Sequence, residues 1–332
     1  MNHSEYSGME ERLRTVDEAS FEELALDIYH YQIRNNPLYR QFVHMVRGNQ
    51  FTPTTLEEIV FLPIETFKSH LVQTDEWIPE KVFQSSGTTG MIRSQHAVRS
   101  LTSYHEQTIG TFERFFGPLQ DVVILALLPN YLQQKNSSLV TMVQAFMDVQ
   151  PHPLHGFFID NFAALADRIE HCLQNQYPFI LWGVTYALMD FADSFPIPLM
   201  DRGLVIETGG MKGRKEEITK TELHSFLKER FLVTTIYAEY GMTELFSQAY
   251  TDKEGWFVPA STLQILIGEI NDPLVLEKSE KTGLIQVIDL ANIHTCSFIA
   301  TEDLGRARGV NFEVLGRLDH SDLRGCSLLY PS

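Results

Sequence analysis

The sequence predicts an α/β fold in which a mostly parallel sheet is covered by helices and followed by a β-rich segment. Three observations predict it. Apolar runs alternate with helical periodicity between residues 81 and 240, as in sheets buried on both faces. The first 75 residues are mostly helical in pattern, and the chain after Glu254 is mostly β. We expect a single domain over 1–332, with a helical part at 1–78, an α/β part at 79–250 and a β-rich part at 251–332.

The N-terminal helices are predicted from periodicity and caps. In "SFEELALDIYHYQI", Ser20 and Glu23 have the spacing of a capping box, and apolar residues recur behind them at helical spacing. Three prolines then divide the remainder into short pieces, namely Pro53, Pro63 and Pro79.

The α/β part follows in order. "KVFQSS" is predicted to be a strand that enters a loop of small residues, and "SQHAVRS" a strand that leaves it. A helix capped near Ser100 precedes the buried strand "DVVILALLP". A helix in "NSSLVTMVQAFM", strands in "YPFILWGV" and "RGLVIETGG", and a helix opened by the Thr219–Glu222 capping box come next. "FLVTTIYAEYGMTE" is a strand that ends in a polar loop.

The last third is predicted to add a smaller sheet or barrel. Its strands are "LQILIGEI", "GLIQVIDL", "TCSFIATEDLG" and "NFEVLGRLD".

Composition excludes several classes of partner. The net charge of −17 disfavours nucleic acid and anionic membranes, because both are bound through Lys and Arg. The longest strongly apolar run, Val122–Leu128, is far shorter than a membrane span. The first twenty residues lack a signal-peptide core, and three cysteines form neither a disulfide framework nor a metal spacing. We therefore expect a reduced, cytoplasmic protein.

The segment "QSSGTTGMIRSQH" contains the smallest and most hydroxyl-rich hexapeptide of the chain. It lacks the Gly-Lys-Ser/Thr and the following helix of the common NTPase loop. Glycines nevertheless allow backbone N–H groups to converge on a phosphate, and the serine and threonine hydroxyls add donors. The alternative is a polar hairpin turn.

Three later segments carry matching chemistry. "YGMTE" combines a ring that can stack on a purine with a hydroxyl and a carboxylate that can hold Mg²⁺. "TEDLGR" puts Asp303 at a strand end, where it can accept hydrogen bonds from ribose hydroxyls, and "GRLDHSDLRG" is rich in Arg and Asp. Taken singly, each has the alternative of a solvated turn or a structural ion pair.

The order of the four segments resembles the adenylate-forming superfamily of acyl-CoA synthetases, peptide-synthetase adenylation domains and luciferases. It is most similar to the short branch of LuxE-type acyl-protein synthetases of bacterial bioluminescence, with phenylacetate–coenzyme A ligases as neighbours. "LPIETFK", "LPNYLQQKNSSLVTMV" and "ETGGMKGRK" resemble that branch too. Wider members continue into a mobile C-terminal lobe with a lysine that assists adenylation, and this chain stops at Ser332.

The resemblance implies a reaction in two halves. A fatty acid attacks the α-phosphorus of ATP with Mg²⁺ to give acyl-AMP, and a thiol then takes the acyl group. It implies that Glu244 holds Mg²⁺, that Asp303 binds ribose and that Arg317 contacts ribose or phosphate. It implies ATP-binding roles for the following residues: Ser85, Ser86, Gly87, Thr88, Thr89, Gly90, Gly209, Gly210, Tyr240, Gly241, Thr243, Asp303 and Arg317. Thr88 and Thr89 would donate to the phosphates, Thr243 would touch the α-phosphate, and Tyr240 would stack on adenine.

The resemblance implies a lysine that assists adenylation and a thiol that accepts the acyl group, and we assign a candidate residue to each. Lys212 in the basic run "GGMKGRK" is the proposed substitute lysine, with a solvated helix start as its alternative. Cys172 and Cys296 lie within predicted core elements, whereas Cys326 stands beside Arg324, which lowers a thiol pKa. The resembling branch carries its acyl-accepting cysteine near the C-terminus, where Cys326 lies, and an inert cysteine is the alternative.

Two other functions remain open at this stage. One is an acyl- or aryl-CoA ligase that passes the acyl group to coenzyme A or a carrier protein, and the other is a degenerate nucleotide-binding scaffold. A fatty-acyl reductase partner is implied by the resemblance alone. Trp182, Gly183 and Val184, at a predicted strand end, are candidates for an acyl tunnel, with plain core as the alternative.

Overall fold

The computed structural model describes residues 3–85, 92–129, 136–199, 202–209, 219–272, 274–277 and 281–318. The N-terminal part is helical, as predicted, with α1 His3–Thr15, α2 Glu18–Asn35, α3 Pro37–Arg47 and the short α4 Thr66–Ser69. The predicted capping box at Ser20 and Glu23 is wrong. Helix α2 begins three residues earlier because Asp17 is its N-cap, and Ser20 is the third helical residue of a box with Asp17.

An antiparallel hairpin carries the small-residue loop. Its strands are β2 Lys81–Gln84 and β3 Gln95–Val98, which pair only with each other among the described residues. The hairpin closes at Ser85 and Ser94, where the Ser85 N–H donates to the Ser94 carbonyl at 3.1 Å and the Ser94 N–H donates to the Ser85 Oγ at 3.0 Å. The predicted phosphate-binding residues 86–90 lie outside the described residues.

The α/β part alternates as the sequence predicts. Its helices are α5 Leu101–Phe116, α6 Ser138–Val149, α7 Phe162–Gln174, α8 Thr185–Ser194 and α9 Lys220–Phe231. Its strands are β4 Val123–Leu127, β5 Gly156–Phe158, β6 Phe179–Val184, β7 Gly203–Thr208 and β8 Tyr237–Tyr240. These strands are parallel in the order β5-β4-β6-β7-β8. Helix α5 is capped by Ser100 and α9 by the Thr219–Glu222 capping box, which confirms both predictions. Helix α6 is capped by Ser137.

The β-rich part extends this sheet and does not form the separate small sheet or barrel predicted from sequence. Its strands are β9 Ala249–Thr251, β10 Phe257–Pro259, β11 Leu263–Gly268, β12 Gly283–Asp289, β13 Phe298–Arg308 and β14 Asn311–Arg317. Within the described ranges β9 pairs antiparallel with β8, and the order continues β10-β14-β13-β12-β11. A short strand, β1 Leu62–Pro63, runs parallel to β13.

Two apolar cores pack against the continuous sheet. One is formed by the parallel strands with α5 to α9, and the other by the antiparallel strands with the N-terminal helices. Cys172 lies in the first core and Cys296 in the second, which confirms that both thiols are buried. Among the described residues no helix combines the length and apolar character that crossing a membrane requires.

Candidate functional site

The candidate site lies where the parallel strands end. The strand order reverses direction at β4, because β5 lies on one side of it and β6 to β8 lie on the other. In open α/β sheets, ligands bind outside the carboxyl ends of strands near such a reversal. In this region the Tyr186 hydroxyl, from the start of α8, donates to the Pro129 carbonyl after β4 at 3.3 Å. The topology therefore predicts that the segments after β4, β6, β7 and β8 form the ligand site.

Tyr240 and Asp303, which come from two different predicted motifs, are hydrogen-bonded to each other. The Tyr240 hydroxyl donates to Asp303 Oδ2 at 3.0 Å, across a sequence separation of 63 residues. Asp303 on β13 is directly opposite Arg317 on β14. Burial raises the pKa of the Asp303 carboxyl, while the Tyr240 hydroxyl and the Arg317 charge oppose that rise.

The Tyr240 ring is already largely covered by protein. Its centroid lies 5.8 Å from that of Phe257 and 5.3 Å from that of Phe312, and the residue is 8% exposed. Burial raises the pKa of Tyr240 well above its ordinary value, so the hydroxyl stays protonated and donates. The predicted stacking on adenine stays a prediction, and it would have to use the small part of the ring that remains exposed.

Glu244 is a buried carboxylate with cations in electrostatic reach. Burial raises its pKa, whereas a hydrogen bond with the Ser94 side chain and the charges of Arg317 and Lys68 oppose the rise. The Glu244 carbonyl accepts from Asn292 Nδ2 at 2.8 Å. The contact with Ser94 brings the "YGMTE" segment to the closing end of the loop-bearing hairpin.

His96 provides a second link between these segments, which sequence reasoning missed. Its Nδ1 is 2.8 Å from the Thr243 carbonyl and its Nε2 is 3.0 Å from Thr295 Oγ1. Burial lowers the pKa of His96 to about 4, so the ring is neutral near pH 7. A neutral ring donates from Nδ1 to Thr243 and accepts at Nε2 from the Thr295 hydroxyl. The alternation in "SQHAVRS" indicated only that His96 faces one side of a strand.

Gly209 follows β7 with a φ of +73°, a conformation that favours glycine. Its carbonyl is 2.6 Å from the Thr185 hydroxyl oxygen, which also lies 3.0 Å from Glu207 Oε2. Gly241 follows β8, and a Cβ built there would collide with the carboxylate of Glu239. Gly210 and Lys212 lie outside the described residues, as does Cys326.

Two buried carboxylates beside the predicted motifs were also missed. Glu207 pairs with His224, at 3.4 Å between Oε1 and Nε2, and Glu239 accepts a short hydrogen bond from Thr208. Burial raises the pKa of Glu239 to about 7; the Thr208 hydroxyl opposes the rise and the charge of Glu207 adds to it. Both residues sit in apolar strands, where the sequence pattern offers no sign of their partners.

Lys220 is a partly buried cation in electrostatic reach of Glu207. Its Nζ lies 3.9 Å from the centroid of the Phe257 ring, and burial lowers its pKa while Glu207 and Glu313 oppose this. It begins helix α9, a few residues after the basic run that contains Lys212. The ring beneath it also contacts Tyr240, so Lys220 belongs to the surroundings of the Tyr240–Asp303 pair.

The acyl-tunnel candidates are core residues of β6. Trp182 and Val184 are fully buried, and a Cβ at Gly183 would lie 2.7 Å from Leu188 Cγ. These positions agree with the alternative of plain core packing. Among the described residues no group of three or more His, Cys, Asp or Glu is arranged to hold a metal ion.

Comparison with known proteins identifies the fold. The sequence matches no family model and no curated protein. A structure of 2-hydroxyisobutyryl-CoA ligase in complex with 2-HIB-AMP matches with a TM-score of 0.67 and 11% identity, over 92% of this chain and 70% of that one. ATP-bound MatB from Rhodopseudomonas palustris matches with a TM-score of 0.51 and 14% identity, over 71% of this chain and 47% of that one.

A long-chain-fatty-acid-CoA ligase from Archaeoglobus fulgidus is also similar, with a TM-score of 0.51 and 14% identity over 75% of this chain and 53% of that one. The chain thus spans about half the length of the last two matching proteins. Identities this low show a shared fold, and the predicted fold class is confirmed. The chain shares the α/β fold of these solved structures.

Proposed function

We propose that this protein activates a fatty acid as its acyl-adenylate, with ATP and Mg²⁺, and transfers the acyl group to a thiol. The observation that carries the proposal is the position of Arg317. Its guanidinium pairs with Glu302 at 2.5 Å, and its charge acts on Tyr240, Asp303 and Glu244. Residues of two later motifs therefore lie within electrostatic reach of a guanidinium that belongs to the third. The hydrogen bond between Ser94 and Glu244 adds the hairpin that carries the fourth motif.

The residues suit the chemistry of adenylation. Negative charge develops on the transferring phosphoryl group, and prepositioned donors and cations stabilise it. In this proposal Ser85 to Gly90 bind the outer phosphates, Thr243 the α-phosphate and Asp303 the ribose. Tyr240 stacks on adenine and also fixes the Asp303 carboxylate through its hydroxyl. Lys212 supplies further positive charge.

Glu244 fits the magnesium ion that such a reaction uses. Mg²⁺ at nucleotide sites is usually bound by one or two carboxylates together with phosphate oxygens and water. Glu244 supplies one carboxylate, held by the Ser94 hydrogen bond and by the backbone contact with Asn292. When bound, the ion would neutralise charge on the phosphates and polarise the α-phosphorus.

Cys326 is the proposed acyl acceptor in the second half-reaction. Burial raises the pKa of the Cys172 thiol to about 11 and that of Cys296 to about 12. Both therefore remain protonated inside the cores and lack the thiolate that attacks a carbonyl. The third cysteine of the chain is left as the candidate. A fatty-acyl reductase or an acyl carrier would then be the partner that receives the acyl group.

Carboxylate-dependent exchange between ATP and labelled pyrophosphate tests the proposal. We expect straight-chain fatty acids to support exchange that requires Mg²⁺, and aromatic and short acids to support less. ATP binding without exchange for any acid in the panel would refute the enzyme and favour the nucleotide-binding scaffold.

A coenzyme A ligase is the second candidate, and it is favoured by two of the matching structures, which are coenzyme A ligases. The two candidates differ in the acceptor. A Cys326→Ser variant that still converts fatty acid and coenzyme A to a thioester at the wild-type rate would establish this second candidate in place of the first.

A further inference from the structure

The second half-reaction releases a proton that no residue assigned above accepts. When a thiol attacks an acyl-adenylate, a C–S bond forms, and the bond between the acyl carbon and the phosphate oxygen breaks with its electron pair leaving on AMP. The thiol proton must go to a base, because a free thiol with a pKa of about 8.5 is mostly protonated at pH 7. A suitable base is a side chain with a free acceptor atom beside the reacting carbonyl.

Most buried carboxylates near the strand ends are already committed to protein partners. Both oxygens of Asp289 accept hydrogen bonds, from Phe246, Ser247 and Ala291. Glu207 is bound by Thr185 and His224, one to each oxygen. Asp303 holds Tyr240, and Glu244 is hydrogen-bonded to Ser94.

Glu239 differs from Asp289 and Glu207, whose two oxygens are both bound, and from Asp303 and Glu244, which already have roles in the proposed function. Its Oε2 accepts the hydrogen bond from Thr208, and no described residue donates to its Oε1. That free oxygen lies against the Cα of Gly241, where a side chain could not be accommodated. The residue keeps 8% of its surface exposed, whereas Asp289 is completely buried.

The neighbours of Glu239 indicate that a hydrogen-bond donor belongs there. Gln248 approaches the same point, with its Cγ 3.5 Å from the Cβ position of residue 241, and its buried Oε1 has no hydrogen-bond partner among the described residues. Within the part of the chain that the structure describes, the buried Tyr250 hydroxyl on this face of the sheet also lacks a partner. Unsatisfied buried polar atoms are rare in native proteins and commonly mark a missing water or ligand.

The face on which Glu239 lies is set by strand alternation. Tyr237, two residues earlier on β8, packs against Phe116 of α5 at 5.1 Å between ring centroids. Glu239 therefore also points to the α5 side, and Tyr240 points to the opposite side toward Phe257 and Phe312. The free carboxylate oxygen lies against Gly241, and its partner oxygen is bound by Thr208, which precedes Gly209. Gly209 and Gly241 are both residues to which the proposed function gives ATP-binding roles.

We propose that Glu239 is the base that takes the proton from the attacking thiol, an inference that rests on the proposed function. Oε1 receives the proton as the C–S bond forms, and AMP leaves with the electron pair of the broken C–O bond. The proton is then released to water. A pKa of about 7 suits this task, since the carboxylate is partly ionised at neutral pH and holds the proton well enough to accept it.

The charged and titratable groups around Glu239 define the expected pH dependence. Glu207 on β7 raises its pKa, while Tyr104 on α5 and Tyr250 on β9 stay neutral because burial raises their own pKa values. The transfer rate in the wild type should therefore rise with pH through about 7 and then level off.

The test separates the two half-reactions in wild type and in Glu239→Gln. Glutamine has the shape of glutamate and still accepts from Thr208, but it takes up no proton. Adenylation is measured by pyrophosphate exchange with tetradecanoate. Transfer is measured in a single turnover with preformed, labelled tetradecanoyl adenylate, with and without coenzyme A, by following thioester formation.

We expect exchange to change less than threefold (about 0.6 kcal/mol or less) in Glu239→Gln. Transfer should slow by about 10²-fold or more and lose its rise with pH, in line with general-base catalysis. Glu239→Asp, which keeps a carboxylate, should recover part of the rate. Glu207→Gln is the matched control on the adjacent strand: it should keep the transfer rate and move the pH profile slightly to lower pH.

Three results would overturn the inference. If Glu239→Gln slows exchange and transfer by the same factor, the residue only supports the site. If Glu239→Gln changes which acids support exchange but leaves transfer intact, Glu239 accepts a hydrogen bond from the acyl substrate and takes no proton from the thiol. If the wild type shows no exchange and forms no thioester from the adenylate, the proposed function itself fails and the inference fails with it.

Discussion

Replacing Glu239 by glutamine should make the protein more stable at alkaline pH. Glu239 is buried in the strand end beside Thr208, and burial raises its pKa from 4.5 to about 7. In the unfolded chain the same carboxyl is solvated and returns to its ordinary value. The folded protein therefore binds a proton that the unfolded chain gives up between these two pH values.

The sign and size follow from this difference. For an acid whose folded pKa is raised, the stabilisation is fully present below the unfolded pKa and is lost as the pH rises through the folded pKa. A rise from 4.5 to about 7 corresponds to about 3 kcal/mol, at about 1.4 kcal/mol per pH unit. About 2 kcal/mol of this loss falls between pH 5.5 and pH 8.5.

Urea unfolding at pH 5.5 and pH 8.5 measures the effect as a free energy of unfolding. The advantage of Glu239→Gln over the wild type should grow by about 2 kcal/mol between the two values. Glu22→Gln, which removes an exposed carboxylate of α2, is the matched control for the loss of one charge. Parallel stability curves for wild type and Glu239→Gln would show that the carboxyl is ionised in the fold and refute the reasoning.

The remaining predictions concern the nucleotide and the thiol. Glu244→Ala should lose exchange activity by several kcal/mol of transition-state stabilisation if Glu244 positions Mg²⁺, and full activity would remove it from the mechanism. Asp303→Ala should raise the ATP concentration required at least tenfold, since a charged acceptor contributes about 1.5–3 kcal/mol per hydrogen bond; an unchanged requirement would leave Asp303 a purely structural partner of Tyr240. Cys326→Ser should keep exchange but lose the hydroxylamine-sensitive label from radioactive fatty acid, and a label that persists would place the acceptor elsewhere. His96→Ala should raise the ATP requirement with little change in the apparent Mg²⁺ affinity, because it frees the Thr243 carbonyl and leaves the Glu244 side chain in place; equal changes in both would argue against this division.

Local signals in the sequence predicted the secondary structure of the α/β part well. The buried strand β4, the Ser100 cap and the Thr219–Glu222 capping box are each determined by residues within one turn or one strand. The start of α2 was misplaced for a related reason. Asp17 and Ser20 have the same spacing as Ser20 and Glu23, and the helix uses the earlier pair. The sequence alone does not decide which of two overlapping capping boxes starts the helix, because the choice depends on how the first turn packs.

The sequence did not predict which strands pair when they are distant along the chain. The strands after residue 254 were recognised as strands, but their hydrogen bonding to the parallel sheet through β9 and β10 depends on edges that no local pattern specifies. The site shows the same limit. The residue types of the Tyr240 and Asp303 motifs were predicted, whereas the hydrogen bond between them joins residues 63 positions apart.

The adjacent residues Glu239 and Tyr240 illustrate what the fold adds to the motif. Alternation along β8 sends them to opposite faces of the sheet, so a single strand end serves two different surroundings. On one face Tyr240 meets Asp303, near the Arg317 guanidinium, a setting suited to a nucleotide. On the other face Glu239 meets Thr208 and polar groups that have no partner among the described residues, a setting suited to a group that gives up a proton. In the proposed function, adenylation would use the Tyr240 face and acyl transfer the Glu239 face, so two consecutive residues of one strand would serve the two half-reactions.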